Sequence, residues 1–119
     1  MLTRSLRTDD RQREKQALDR LCARKVKERD GHRCVLCHSR EAPQWAHVFS
    51  RRYLNVRWDP GNSMVLCKRC HFRYTKRPEE WFSLMETRLG PAAFARLRAR
   101  AMNLAKVDLA AIRLSLEAA

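Results

Sequence analysis

Four of the five cysteines in this chain of 119 residues fall into two CxxC pairs, Cys34/Cys37 and Cys67/Cys70, with 29 residues between the pairs. Each CxxC folds into a tight knuckle that presents two thiolates, and two knuckles close a tetrahedron around one ion, so the spacing predicts a structural Zn²⁺. Such a site contributes about 10–16 kcal/mol in zinc-finger peptides, enough to decide whether a small core folds. His38 and His71 each follow the second cysteine of a pair. Four thiolates saturate the ion, so His38 is expected at the surface beside its knuckle, and His71 is left without a structural duty. Cys22 shares helical spacing with Leu18, Leu21 and Val26 and reads as a small buried apolar residue.

A second set of residues overlaps the first. In "WAHVFSRRYLNVRWDPGNSMVLCKRCH", residues 45–71, His47 stands fifteen residues before Asn62 and Asn62 nine before His71. Arg51, Arg52 and Arg57 lie between His47 and Asn62. The guanidinium fork matches phosphate oxygens bidentately, which makes each of the three a candidate nucleic-acid contact; the competing reading is an ordinary solvated arginine. Trp45 and Trp58 flank the motif and are expected to pack in the core rather than stack on bases.

The elements that must position these groups divide the chain into three regions. Residues 1–33 form a basic N-terminal helical extension, helical from about Asp9 with the apolar stripe Leu18, Leu21, Cys22, Val26, and ended by the turn signal "DGH". Residues 34–78 hold nine Lys/Arg against Glu41 and Asp59 alone. Here "QWAHVF" reads as a strand, "SRRYLNVRWDPGN" as a long loop closed by a turn at Pro60-Gly61, and "SMVLC" as a second strand. A short helix is expected over 68–76, stopped before Pro78 because the residue preceding proline avoids the α region. Residues 79–119 form a C-terminal helical extension. "PEEWFSLMETRLG" opens with proline and glutamates and closes in glycine, and two alanine- and leucine-rich helices follow.

The formal charge of the chain is +13, which suits a polyanionic partner. No run approaches the ~20 apolar residues of a membrane span, and the opening residues carry no apolar signal core, so a cytoplasmic protein without disulfides is expected.

The stretch 34–77, with its pattern "AH…SR…RWD…N…LC..CH", resembles the HNH family of nucleases, also called ββα-metal or His-Me finger enzymes. It is similar in particular to a branch that includes the phage NinG-type recombination proteins. The resemblance implies an α+β fold, in which a small ββα-metal core stapled by a four-cysteine zinc site is flanked by the N-terminal and C-terminal helices. It implies an endonuclease that hydrolyses DNA phosphodiester bonds with low sequence specificity. By the same resemblance His47 is the general base that takes a proton from water, a task that suits a neutral imidazole. Asn62 holds the long loop by side-chain hydrogen bonds. His71 binds a catalytic divalent ion (Mg²⁺, Mn²⁺ or Ni²⁺), with Thr75 one helical turn beyond in a position to assist. In one respect the chain departs from the family: many members place Asp or His immediately before the base as a second ligand, and here Ala46 stands there. The alternative reading is therefore a non-catalytic zinc module that binds DNA or RNA through the same basic surface. A third is a structural or assembly protein that uses the fold as an adaptor.

Overall fold

The computed structural model describes the backbone of residues 2–119 and side chains from Thr8 onward. Among the described residues the fold is mixed α+β, with six α-helices and one two-stranded antiparallel sheet. The elements run α1 (Leu2–Arg29), β1 (Pro43–His47), α2 (Leu54–Arg57), a 3₁₀ turn (Pro60–Asn62), β2 (Ser63–Cys67), α3 (Lys68–Thr75), α4 (Pro78–Leu89), α5 (Pro91–Met102) and α6 (Leu109–Ala118). No described helix is long and apolar enough to cross a membrane.

The sheet is the middle layer between two sets of helices. β1 and β2 pair in the register Gln44↔Leu66, Trp45↔Val65, Ala46↔Met64, His47↔Ser63. Because directly paired residues share a face and successive residues alternate, Ala46, Met64 and Leu66 point one way. They join the cluster built with Val48, just past β1, and Val56, Trp81, Met85, Phe94 and Leu97 from α2, α4 and α5. Val65 points the other way, with Leu18, Cys22 and Val26 of α1, Trp58, and Leu109 and Leu116 of α6. This explains why "SMVLC" is apolar almost throughout rather than alternating: all five residues of β2 are buried. The segments on either side of residues 34–78 thus supply both outer layers of the core.

α1 stops where "DGH" predicts. Gly31 adopts φ +69, a region glycine enters without penalty. The His32 N–H donates to the Lys27 carbonyl at 2.9 Å and the Gly31 N–H to Glu28 at 3.3 Å, a Schellman closure. The end of α1 then seals β2. Asp30 accepts from the Val65 N–H (2.9 Å), Arg29 donates to the Ser63 carbonyl (2.8 Å), and the Val35 N–H donates to the Val65 carbonyl (3.0 Å). A strand edge with its donors and acceptors paired does not recruit another chain.

The expected loop over 50–62 is only partly a loop. Its middle winds into α2, a single turn, and its end into the 3₁₀ turn, where the Asp59 side chain accepts from the Gly61 N–H at 2.8 Å. One turn of four residues is too short to show apolar periodicity, and it is burial of Val56 in the core that holds it.

Candidate metal centre and histidine cleft

The four cysteines meet, with all Sγ atoms within 4.8 Å of one another. Cys37 and Cys67 Sγ lie 3.6 Å apart, close to the roughly 3.8 Å edge of a tetrahedron with Zn–S bonds of about 2.3 Å. The first knuckle turns through His38, which is exposed with φ +66 and donates its N–H to the Cys34 carbonyl at 2.9 Å. The second knuckle bridges two elements. Cys67 ends β2 and caps α3, its sulfur accepting from the Cys70 N–H at 3.4 Å. Burial disfavours a thiolate at Cys34, but N–H groups of Cys37, Cys67 and Leu36 outweigh it and bring that thiol down to about 6. The cluster can hold a structural metal ion such as zinc, and the donor set of soft sulfurs fits that ion. Cys22, by contrast, is fully buried among Leu18, Val26 and Val65, and burial pushes its thiol up to about 12. It is a core residue, as its spacing predicts.

Asn62 is fully buried and every polar atom of its side chain is used. Nδ2 donates to the carbonyls of Phe49 (3.0 Å) and Val56 (3.1 Å), and Oδ1 accepts from the Phe49 N–H (2.9 Å). One side chain thereby ties both shoulders of the segment between the strands. Asn62→Asp removes two donors from buried carbonyls and buries a charge, so a stability loss of at least about 3 kcal/mol is expected in chemical denaturation. A loss under 1 kcal/mol would mean that the segment is held by its ends alone.

The two histidines each have one nitrogen fixed and one left over. His47 Nε2 lies 3.0 Å from the Arg57 carbonyl. A carbonyl only accepts, so Nε2 carries the proton and Nδ1 keeps a lone pair. Burial lowers the His47 pKa to about 4, with the Arg57 carbonyl working against it and the Arg51 charge adding to it. The ring is therefore neutral at pH 7. His71 Nδ1 donates to Gln44 Oε1 at 2.7 Å, leaving Nε2 free, and burial lowers its pKa as well. An imidazole oriented by a second hydrogen bond of this kind is what a metal-binding histidine requires.

His47 and His71 border one cleft of 180 Å³, together with Ala46, Ser50 and Thr75. Ala46, 1 % exposed, shares its sheet face with Gln44 and so lies on the side of His71. The Thr75 hydroxyl donates to the His71 carbonyl at 2.7 Å, so its oxygen lone pairs are what it has to offer a ligand. No Asp or Glu is among the described residues lining this cleft. A larger cleft of 820 Å³, lined by Phe49, Phe82 and Phe94 among others, contains neither histidine nor cysteine. Size alone would therefore point away from the two histidines.

The three arginines separate. Arg57 lays its fork on Asp19 of α1 (Nε–Oδ1 3.0 Å, Nη2–Oδ2 2.7 Å), its side chain only 16 % exposed. Its phosphate-clamping role is thus displaced by an internal carboxylate. Arg51 reaches the same carboxylate at 2.8 Å but stays 58 % exposed. Arg52 is exposed and stacks on Tyr53 at 5.0 Å, so the outward-facing candidates are Arg51 and Arg52. Trp58 is buried, 3 % exposed, and donates its Nε1–H to Asp19 at 2.7 Å; Trp45 packs against the same cluster. Both are packing residues, as expected.

Sequence reasoning missed Gln44 and Asp19. Gln44 had a weak signal, as the one polar side chain on the Ala46 face of β1. Asp19 had a stronger one, an acid three and seven residues before Cys22 and Val26, and hence on the apolar stripe. No protein-family model, no curated protein and no solved structure matches the chain.

Proposed function

We propose that this protein is a metal-dependent endonuclease of the HNH type, hydrolysing DNA phosphodiester bonds with low sequence specificity. On this reading β1, the Asn62-tied segment, β2 and α3 form its ββα-metal core. The observation that carries the proposal is the pairing of roles at one cleft: a neutral His47 with a free Nδ1 and a His71 with a free Nε2. His47 takes the proton from the attacking water, while the Arg57 carbonyl keeps its tautomer and orientation. His71, aimed by Gln44 and with Thr75 beside it, holds the catalytic ion. When bound, Mg²⁺, Mn²⁺ or Ni²⁺ supplies charge stabilisation at the phosphoryl and leaving oxygens. The four cysteines hold Zn²⁺ as scaffold. Incubation with supercoiled plasmid under Mg²⁺, Mn²⁺, Ni²⁺ or EDTA tests the proposal: nicked or linear product is expected with metal and none with EDTA.

Ala46 favours a second reading. An apolar residue and no acid at the cleft suit a zinc module that binds DNA or RNA without cutting it. Ala46→Asp separates the two. It places a hard oxygen ligand on the His71 side, so the Mg²⁺ or Mn²⁺ concentration for half-maximal cleavage should fall. If the fold persists and the requirement is unchanged, position 46 does not serve the ion, His47 or another residue becomes the candidate second ligand, and the role of His47 as base is withdrawn.

Both readings share a phosphate-dominated interface, because residues 34–78 concentrate positive charge. DNA affinity is expected to drop steeply between low and moderate salt as counterions are released. Flat affinity across that titration would argue against phosphate contacts altogether.

A further inference from the structure

We propose that Asp19, on α1 and outside the cleft, is the positioning residue of the His47 ring and acts on it through Arg57; this rests on the reading of His47 as the base. Asp19 accepts four hydrogen bonds from the segment between the strands. They come from Arg57 Nε (3.0 Å) and Nη2 (2.7 Å), Arg51 Nη2 (2.8 Å) and Trp58 Nε1 (2.7 Å). The side chains of Asp19 and Arg57 are 15 % and 16 % exposed, so solvent competes little for this fork. The main-chain carbonyl of the same Arg57 receives His47 Nε2–H at 3.0 Å.

Two anchors therefore divide the segment. Asn62 fixes Phe49 and Val56 from inside, and Asp19 fixes residues 51, 57 and 58 from the helix. Only the second reaches the residue whose carbonyl selects the His47 tautomer. Without the carboxylate, two guanidinium groups beside His47 lose their counter-charge and turn outward. The Arg57 peptide is then free to shift, and the proton on His47 is no longer held at Nε2. Asp19 also leaves a negative charge behind a ring that turns cationic when it takes up a proton, which favours that step.

The test uses the whole 119-residue chain, metal-loaded, with Asp19→Asn and Asp19→Glu. In ¹⁵N–¹H spectra of the imidazole, wild type should show His47 as the Nε2–H form alone, and Asp19→Asn a mixture of tautomers. On supercoiled plasmid with Mn²⁺, Asp19→Asn should lower kcat about 10- to 100-fold, the scale expected for small misplacement of a reacting group. KM should change less than about twofold, and Asp19→Glu should recover most of the loss. A single unchanged tautomer in Asp19→Asn overturns the proposal, and so does a defect confined to KM, which would make Asp19 a holder of DNA-facing arginines. If Asp19→Asn fails to fold, Arg57→Gln cuts the same link from the other end, and an unchanged His47 tautomer there is equally fatal. If wild type cuts no DNA with any metal, the nuclease reading falls, while the tautomer spectra still decide whether Asp19 positions His47.

Discussion

Cys67→Ser is expected to release the bound metal and unfold the knuckles, sheet and α3 together. Cys67 has three jobs at one position. It supplies a sulfur to the cluster, ends β2 opposite Pro43, and caps α3 through the Cys70 N–H. A serine hydroxyl can still cap a helix, but it is a poor ligand for zinc, so the loss isolates the metal. Structural zinc is worth about 10 kcal/mol or more in small domains, and whole domains are stable by only about 5–15. Elemental analysis should find one zinc per wild-type chain and little in the variant, and the cooperative thermal transition should disappear. Cys22→Ser is the control: it disturbs the Leu18–Val26 packing, costs some stability and keeps the zinc. A metal-free chain that still melts cooperatively near the wild-type temperature would show the sulfur cluster to be incidental to folding.

His47→Ala is expected to cut the metal-dependent cleavage rate by about 10²- to 10⁴-fold, the range ascribed to a general base, with zinc content and DNA affinity close to wild type. The pH dependence adds a second check. Burial lowers the folded-state pKa of His47 to about 4, well below the ordinary imidazole range. A base with a depressed pKa is already unprotonated on the alkaline side of that value and is lost only as pH falls through it. The wild-type rate should therefore show no titration of His47 between about pH 5.5 and 8, where an unperturbed imidazole in its place would impose one. A variant that cuts as fast as wild type removes His47 from the chemistry, whatever the profile. Loss of DNA binding alongside cleavage would instead assign the ring to the interface.

Much of the candidate site was legible because its signals are local. CxxC is a turn that needs only four residues, and "SMVLC" ended by a cysteine before "KRCH" marks both a strand end and a helix start. The observed β2 and α3 meet at that boundary, Cys67/Lys68. Gly31 ends α1 for a reason contained in its own backbone freedom. α2 escapes a reading of the sequence because one turn carries no period, and Arg57 stands among the candidate phosphate contacts because its partner is 38 residues away. Nothing in the vicinity of Arg57 announces a carboxylate. Only the packing of α1 against the sheet brings Asp19 to it.

By itself the sequence determined the two cysteine pairs, the two strands with the helix that follows the second, and the concentration of positive charge, since each depends on residue type and on spacings within one turn or strand. The tertiary structure decided which groups remain available to a ligand. It turned Ala46 to the His71 side, used Arg57 inside the protein and left Arg51 and Arg52 outside, and gave His47 and His71 one free nitrogen apiece. Those outcomes follow from packing α1 and α6 on one face of the sheet and α4 and α5 on the other. A contact between layers is set by the burial of every residue in both, and no short stretch of the chain contains that information.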